Sequence, residues 1–152
     1  MRPLAKTDHS RSHFSVLSVL TSTPSVSVTD YTAAFESLRA CPNTYFTVVI
    51  INKLTDQIVG VGCVFVEQKF IRGLGKVGHI EDIAIDKSMQ GKKLGLRIIQ
   101  ALAAISERVG CYKTILNCSE SNTREFIFAA FFFSKLLSDL LAMNSILREV
   151  RF

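Results

Sequence analysis

The stretch GHIEDIAIDKSMQGKKLG, Gly78 to Gly95, changes its period half-way along. HIEDIAI alternates as a half-buried strand does, placing Ile80, Asp82 and Ala84 on one face and His79, Glu81, Ile83 and Ile85 on the other. From Lys92 onward the period is helical: Leu94, Ile98, Leu102, Ile105 and Val109 form one stripe, and Gly110 stands where a C-terminal glycine ends a helix. CYKTILNC then reads as another strand. Strand, turn, helix, strand predicts a crossover that lays the last strand parallel to the one before the helix.

Upstream, YFTVVII and IVGVGCVFVEQKF are β-branched and aromatic runs separated by the polar NKLTDQ, a hairpin signal. With VGHIEDIAI, reached through the glycine-containing turn RGLGK, they make a three-stranded antiparallel meander. The chain opens with a short strand in RPLAKTDH and a helix carrying Phe14, Leu17 and Leu20, with Asp8 or Ser10 as its cap. A second helix in VTDYTAAFESLRAC takes Thr29 or Asp30 as cap, groups Tyr31, Ala34, Phe35 and Leu38 on one face, and stops before Pro42. The fold class is α/β (α+β), a mixed, mostly antiparallel sheet flanked by helices. A length of 152 residues makes this one domain, 1–152.

Composition narrows the function. With 48% hydrophobic and 20% charged residues the chain is globular rather than disordered. The net charge of +5 is spread along the chain, which suits small phosphorylated ligands better than nucleic acid. Cys41, Cys63, Cys111 and Cys118 lack metal or redox spacing, and no secretory leader is seen, so they read as free thiols of a cytoplasmic protein with no metal. The apolar run Phe126 to Met143 is interrupted by Lys135 and Asp139, short of the roughly 20 residues a membrane span needs.

The turn QGKKLG leads into a helix N-terminus, where unpaired N–H groups and a partial positive charge attract anions. It has neither the Walker nor the dinucleotide glycine pattern, and a plain strand-to-helix turn with solvated lysines reads equally well. Glu81 and Asp82 suit acceptors for a ligand hydroxyl or amine, or structural ion pairs. His79 reads as structural. CYK sets Tyr112 and Lys113 on opposite faces of its strand, and Lys69, Arg72 and Lys113 are either phosphate ligands or solvated cations. The phenylalanines at 126, 128, 131, 132 and 133 read as packing residues.

VEQKFIRGLGKVGHIEDIAIDKSMQGKKLGLRIIQAL, followed by GCYKTILNCSESN, resembles the glucosamine-6-phosphate N-acetyltransferases of the GNAT superfamily, the fungal enzymes in particular. The resemblance runs from about Arg2 to Phe126. It implies a GNAT-type fold and acetyl transfer from acetyl-CoA to the 2-amino group of glucosamine 6-phosphate, giving N-acetylglucosamine 6-phosphate for UDP-N-acetylglucosamine synthesis. It places acetyl-CoA at Ile83, Ala84 and Ile85 and at Gln90, Gly91, Lys92, Lys93, Leu94 and Gly95. It places the sugar phosphate at Thr21, Lys69, Phe70, Ile71, Arg72, Glu81, Asp82, Ile83, Tyr112 and Lys113. Glu81, Asp82 and Asn117 are the catalytic candidates, with Glu81, directly or through water, helping the amine lose its proton before it attacks the thioester carbonyl. A homodimer is also implied.

Three positions depart from the family pattern. Lys93 stands where the superfamily has glycine, Asn117 where an aspartate is common, and Phe126 where a tyrosine is expected to protonate the departing thiolate. The tail, 127–152, reads as an apolar helix and not as the family's final strand, as an alternative transcript or another reading frame encodes. These departures support a second expectation, a catalytically impaired acetyl-CoA-binding or interaction module. A GNAT enzyme with another amine acceptor is the third.

Overall fold

A computed structural model describes residues 1–116; Asn117, Cys118, Phe126 and the tail expected at 127–152 lie outside the described residues. In chain order the elements are β1 (Arg2–Pro3), a 3-10 turn (Lys6–Ser10), α1 (His13–Leu17), α2 (Val28–Arg39), β2 (Tyr45–Asn52), β3 (Gln57–Gln68), α3 (Ile71–Leu74), β4 (Lys76–Ile85), a second 3-10 turn (Lys87–Met89), α4 (Leu94–Arg108) and β5 (Cys111–Leu116). The sheet order is β1-β2-β3-β4-β5. All pairings are antiparallel except β4 with β5, which are parallel as the crossover through α4 requires.

The sheet is covered on both faces. On one, Ile98, Ile99, Leu102 and Ile105 of α4 pack on Phe46, Val48, Val64 and Ile80. On the other, Val16 of α1 packs on Val49, Ile58, Val61 and Ala84. Each fully buried Ile or Leu contributes about 1.5–3 kcal/mol, so the α4 stripe read from periodicity is the main apolar anchor of the crossover. α4 can sit this close because β3 offers no side chain at Gly62. A Cβ there would stand 2.5 Å from both Ile83 Cδ1 and Ile98 Cγ2.

The N-terminal segment is tied down by charge. Asp8 is fully buried and takes Arg2 in a bidentate pair at 2.7 and 2.6 Å, the Ala5 N–H at 2.8 Å and Arg11 at 3.4 Å. Burial alone raises a carboxyl pKa, but the Arg2 hydrogen bonds, the Ala5 N–H and the Arg11 charge outweigh it and hold Asp8 below its ordinary 3.8. Asp8 therefore does not cap α1 as expected. Neither does Ser10; the residue before α1 is Ser12, in the left-handed region with no side-chain cap.

α2 also differs in detail. Ser27 is its cap, accepting the Asp30 N–H at 3.0 Å, in place of Thr29 or Asp30. Of the face expected to be buried only Tyr31 is, its hydroxyl hydrogen-bonded to His13 Nδ1 at 3.0 Å, while Ala34 and Leu38 are exposed. The helix rests on the protein near its first turn, so helical spacing of apolar residues overstated its contact with the core.

Candidate active site

The β4 strand carries one residue more than its partner. Cys63 pairs with Glu81 and Val61 with Ala84, leaving Asp82 and Ile83 opposite Gly62 alone. Asp82 absorbs the insertion at φ 55, a left-handed conformation that Asp tolerates better than most residues. The bulge reverses the side-chain parity beyond it. Ile80, Ile83 and Ile85 all pack toward α4, while Ala84 belongs to the opposite core. The expected grouping of Ile80 and Ala84 on one face is thus corrected: strict alternation holds only as far as Glu81.

The bulge lies just beyond the β4–β5 pairing present among the described residues. Among the described residues, which stop at Leu116, the pairing with β5 runs from Lys76 with Cys111 to Ile80 with Leu116. Beyond it, residues 83–85 have no strand partner on that edge among the described residues.

The turn after β4 adds an anion site. Gln90 donates to the Ile85 carbonyl at 3.2 Å, holding the turn against the end of β4. Gly91 has φ 77 and Lys93 φ 58, so the chain enters α4 through two left-handed residues and no side chain caps the helix. A Cβ on Gly91 would meet nothing within 4 Å, so the approach is open. Uncapped N–H groups, the helix dipole and the exposed Lys92 and Lys93 converge there, which suits a pyrophosphate.

A cationic cluster forms at the other end of β4. The expected turn before it contains one short helical turn, α3, with Arg72, Gly73 and Leu74 all at positive φ. It is closed by Lys69 N–H to the Gly75 carbonyl at 2.8 Å and Gly75 N–H to the Ile71 carbonyl at 3.0 Å. Phe70 is 95% exposed. The Arg72 guanidinium stands 5.6 Å from the centre of the Tyr112 ring and the Lys113 ammonium 5.9 Å from it. Tyr112 and Lys113 were expected on opposite faces. A register shift opposite Lys76 and Val77 leaves Tyr112 as the extra residue, and both side chains are exposed.

Three neighbours of this site were not singled out as ligands or positioners from the sequence. Glu67 takes Lys69 Nζ at 2.5 Å and His79 Nε2 at 3.0 Å, and His79 stacks on Phe65 with ring centres 4.6 Å apart. The Glu67 carboxyl lies below its usual range, held there by the Lys69 and His79 hydrogen bonds. Cys63 lies beside the two acids, and burial, then Asp82 and Glu81, push its thiol up to about 12. The i, i+2 spacing of Glu67 and Lys69 at the end of β3 was the available signal. Thr21 sits exposed between α1 and α2 and makes no side-chain hydrogen bond among the described residues. No group of three or more His, Cys, Asp or Glu that could hold a metal occurs among the described residues.

The described residues thus bring together a bulged strand, an anion-ready helix start and a cationic loop, and residues 14–130 match the model of the acetyltransferase (GNAT) family. The chain belongs to the GNAT acetyltransferase family. Among curated GNAT relatives, the glucosamine 6-phosphate N-acetyltransferase of Candida albicans is 40% identical over 121 residues, covering 80% of each chain. A probable glucosamine 6-phosphate N-acetyltransferase 2 of Oryza sativa subsp. japonica is 38% identical over 121 residues, 78% of this chain and 73% of that one. The crystal structure of glucosamine-6-phosphate N-acetyltransferase from Arabidopsis thaliana superposes with a TM-score of 0.82 at 33% identity, covering 85% of this chain and 88% of the other. The GNAT fold expected from the sequence is the fold observed.

Proposed function

We propose that this chain transfers the acetyl group of acetyl-CoA to the 2-amino group of glucosamine 6-phosphate, giving N-acetylglucosamine 6-phosphate for UDP-N-acetylglucosamine synthesis. The observation that carries the reading is the layout along β4. Glu81 and Asp82 lie between the end of β4 that leads to the open helix N-terminus and the cluster of Arg72, Tyr112 and Lys113, with Lys69 in the same loop as Arg72. An amino sugar phosphate has an amine at one end and a dianion at the other, and this site offers carboxylates and cations in that arrangement.

Acetyl-CoA supplies a thioester-activated acetyl group. As the resemblance implies, the backbone of Ile83, Ala84 and Ile85 would hold its extended arm, and the α4 start at Gly91, Lys92, Lys93, Leu94 and Gly95 its pyrophosphate, the latter region being open and of the right polarity. Lys69, Arg72 and Lys113 neutralise the sugar phosphate, Tyr112 supports the two cations beside its ring, and Glu81 accepts a proton from the amine, directly or through water. Asp82 orients the amine or a sugar hydroxyl. The resemblance adds Asn117 beside the acceptor. Fixing donor and acceptor side by side supplies much of the rate acceleration in a direct transfer.

Asn117 and Phe126, in place of the family's aspartate and tyrosine, favour a second reading, a chain that binds acetyl-CoA but turns over slowly or not at all. Measuring thiol release from acetyl-CoA with and without glucosamine 6-phosphate, with acetyl-CoA binding followed in parallel, separates the two. Thiol release that depends on the sugar phosphate supports the transferase; binding without release supports the module. A cytoplasmic location and a homodimer complete the proposal, and sedimentation of the full chain tests the latter.

A further inference from the structure

We propose that Glu67 is a positioning residue for the substrate phosphate, acting through Lys69: it fixes the ammonium at one end of the sheet face that presents Glu81. The inference rests on the sugar-phosphate reading of the site, and Glu67 itself touches no reacting atom.

The geometry is a relay of three side chains. Glu67 Oε1 accepts from Lys69 Nζ at 2.5 Å, and Oε2 accepts from His79 Nε2 at 3.0 Å. His79 is fixed in turn, lying flat on Phe65 with planes inclined by 7°. Phe65 pairs with His79 and Cys63 with Glu81 across β3 and β4, so His79 and Glu81 are alternate residues on the face away from α4. The Lys69 ammonium is therefore braced to a point one strand repeat from the carboxylate assigned to the amine.

A lysine is otherwise a poor ruler. Its four-carbon stem samples many rotamers, and ordering it on a ligand costs conformational entropy. One bond to Glu67 removes much of that freedom and leaves two of the three ammonium donors for a phosphate. The amine and phosphate of the sugar are joined by a rigid ring, so a fixed cation-to-carboxylate spacing selects acceptors that carry both groups at that separation. A carboxylate beside a phosphate site is otherwise unfavourable, because it repels the dianion.

The test is a double-mutant cycle on the full chain, with glucosamine 6-phosphate binding followed by titration calorimetry and acetyl-CoA binding as the control. Glu67→Ala weakens glucosamine 6-phosphate roughly tenfold and leaves acetyl-CoA affinity unchanged. In a Lys69→Met background the same substitution changes it less than about twofold, since its effect passes through the ammonium. Glu67→Gln recovers part of the loss because its amide oxygen still accepts from Lys69. Glu67 is partly exposed, so none of these variants opens a cavity.

Unchanged or tighter binding in Glu67→Ala overturns the proposal, as do additive losses with Lys69→Met or a parallel loss of acetyl-CoA affinity. Failure of the unsubstituted chain to bind glucosamine 6-phosphate overturns it together with the proposed function. Binding that depends on Glu67 in a chain without turnover sustains the positioning role and removes only the catalytic reading.

Discussion

The Cys63 Sγ lies 3.9 Å from Asp82 Oδ2, across the point where β4 carries its extra residue. The thiol thus sits next to both acids of the candidate site, and burial with those two charges pushes its pKa up to about 12. It stays protonated and donates to Asp82. At pH 8 an alkylating reagent should therefore modify the exposed Cys41 well before Cys63, by a factor of at least about tenfold. Peptide mass spectrometry over a time course reads this directly, and equal labelling rates would contradict the buried, acid-flanked setting.

Glu81→Gln removes the proposed proton acceptor while keeping the shape of the side chain. The expected outcome is a fall in kcat of about 10²-fold or more, with the KM for acetyl-CoA little changed. The pH–rate profile flattens as well. Unchanged turnover and profile assign the proton to another group.

Asp8 links acid stability to the N-terminal segment. Its carboxyl is held below 3.8 in the folded chain, so it binds protons less readily there than in the unfolded chain. The resulting stability is present above the unfolded value and is lost as pH falls through the folded one. Asp8→Asn should lower stability at pH 7 by about 2 kcal/mol, because Arg2 and Arg11 lose their charged partner but are partly exposed and remain solvated, and should weaken the acid dependence. Arg2→Met should cost more, about 3 kcal/mol, since it leaves the fully buried Asp8 carboxylate without its bidentate partner. Denaturant titrations at pH 7 and at about pH 3, below the unfolded value, compare them.

Gly78 faces α4 with no room for a methyl group. A Cβ there would fall 2.1 Å from Ser106 Oγ and 2.9 Å from its Cβ, and Ser106 is buried and hydrogen-bonded to Thr114 at 2.7 Å. Gly78→Ala should cost about 1–3 kcal/mol by overpacking the seam between α4, β4 and β5. A lower urea midpoint at unchanged slope is the expected signature.

Lys93 presents the opposite case. It occupies φ 58 at the start of α4, a conformation that costs a non-glycine residue about 1 kcal/mol, and the superfamily pattern has glycine there. Lys93→Gly should raise stability by up to about 1 kcal/mol. Acetyl-CoA binding should persist, carried by the helix N-terminus and Lys92, and calorimetry measures both effects.

Much of this was legible in the amino acids. The meander, the α4 stripe from Ile98 to Ile105, the parallel last strand and the anion-ready turn rest on local periodicity and glycine placement, which a linear reading captures. Lys69, Arg72, Glu81, Asp82 and the turn at 90–95 were singled out by residue type and spacing, whereas Phe70, Ile71 and Ile83 to Ile85 were named only through the family resemblance. Caps and faces were less legible. Ser27 displaced Thr29 and Asp30 because capping depends on where the backbone actually turns, and α2 buried only Tyr31 of its expected face because contact depends on a neighbour.

The sequence by itself determined which elements form and which side chains of the candidate site are available. Only the tertiary structure decided how they meet. The bulge at Asp82 moved Ala84 to the opposite core from Ile80, Tyr112 came beside both Arg72 and Lys113, and Glu67 was bound to both Lys69 and His79. Each of these depends on strand register, which is fixed by packing between residues distant in the chain, and a shift of one residue exchanges every side chain between the two faces.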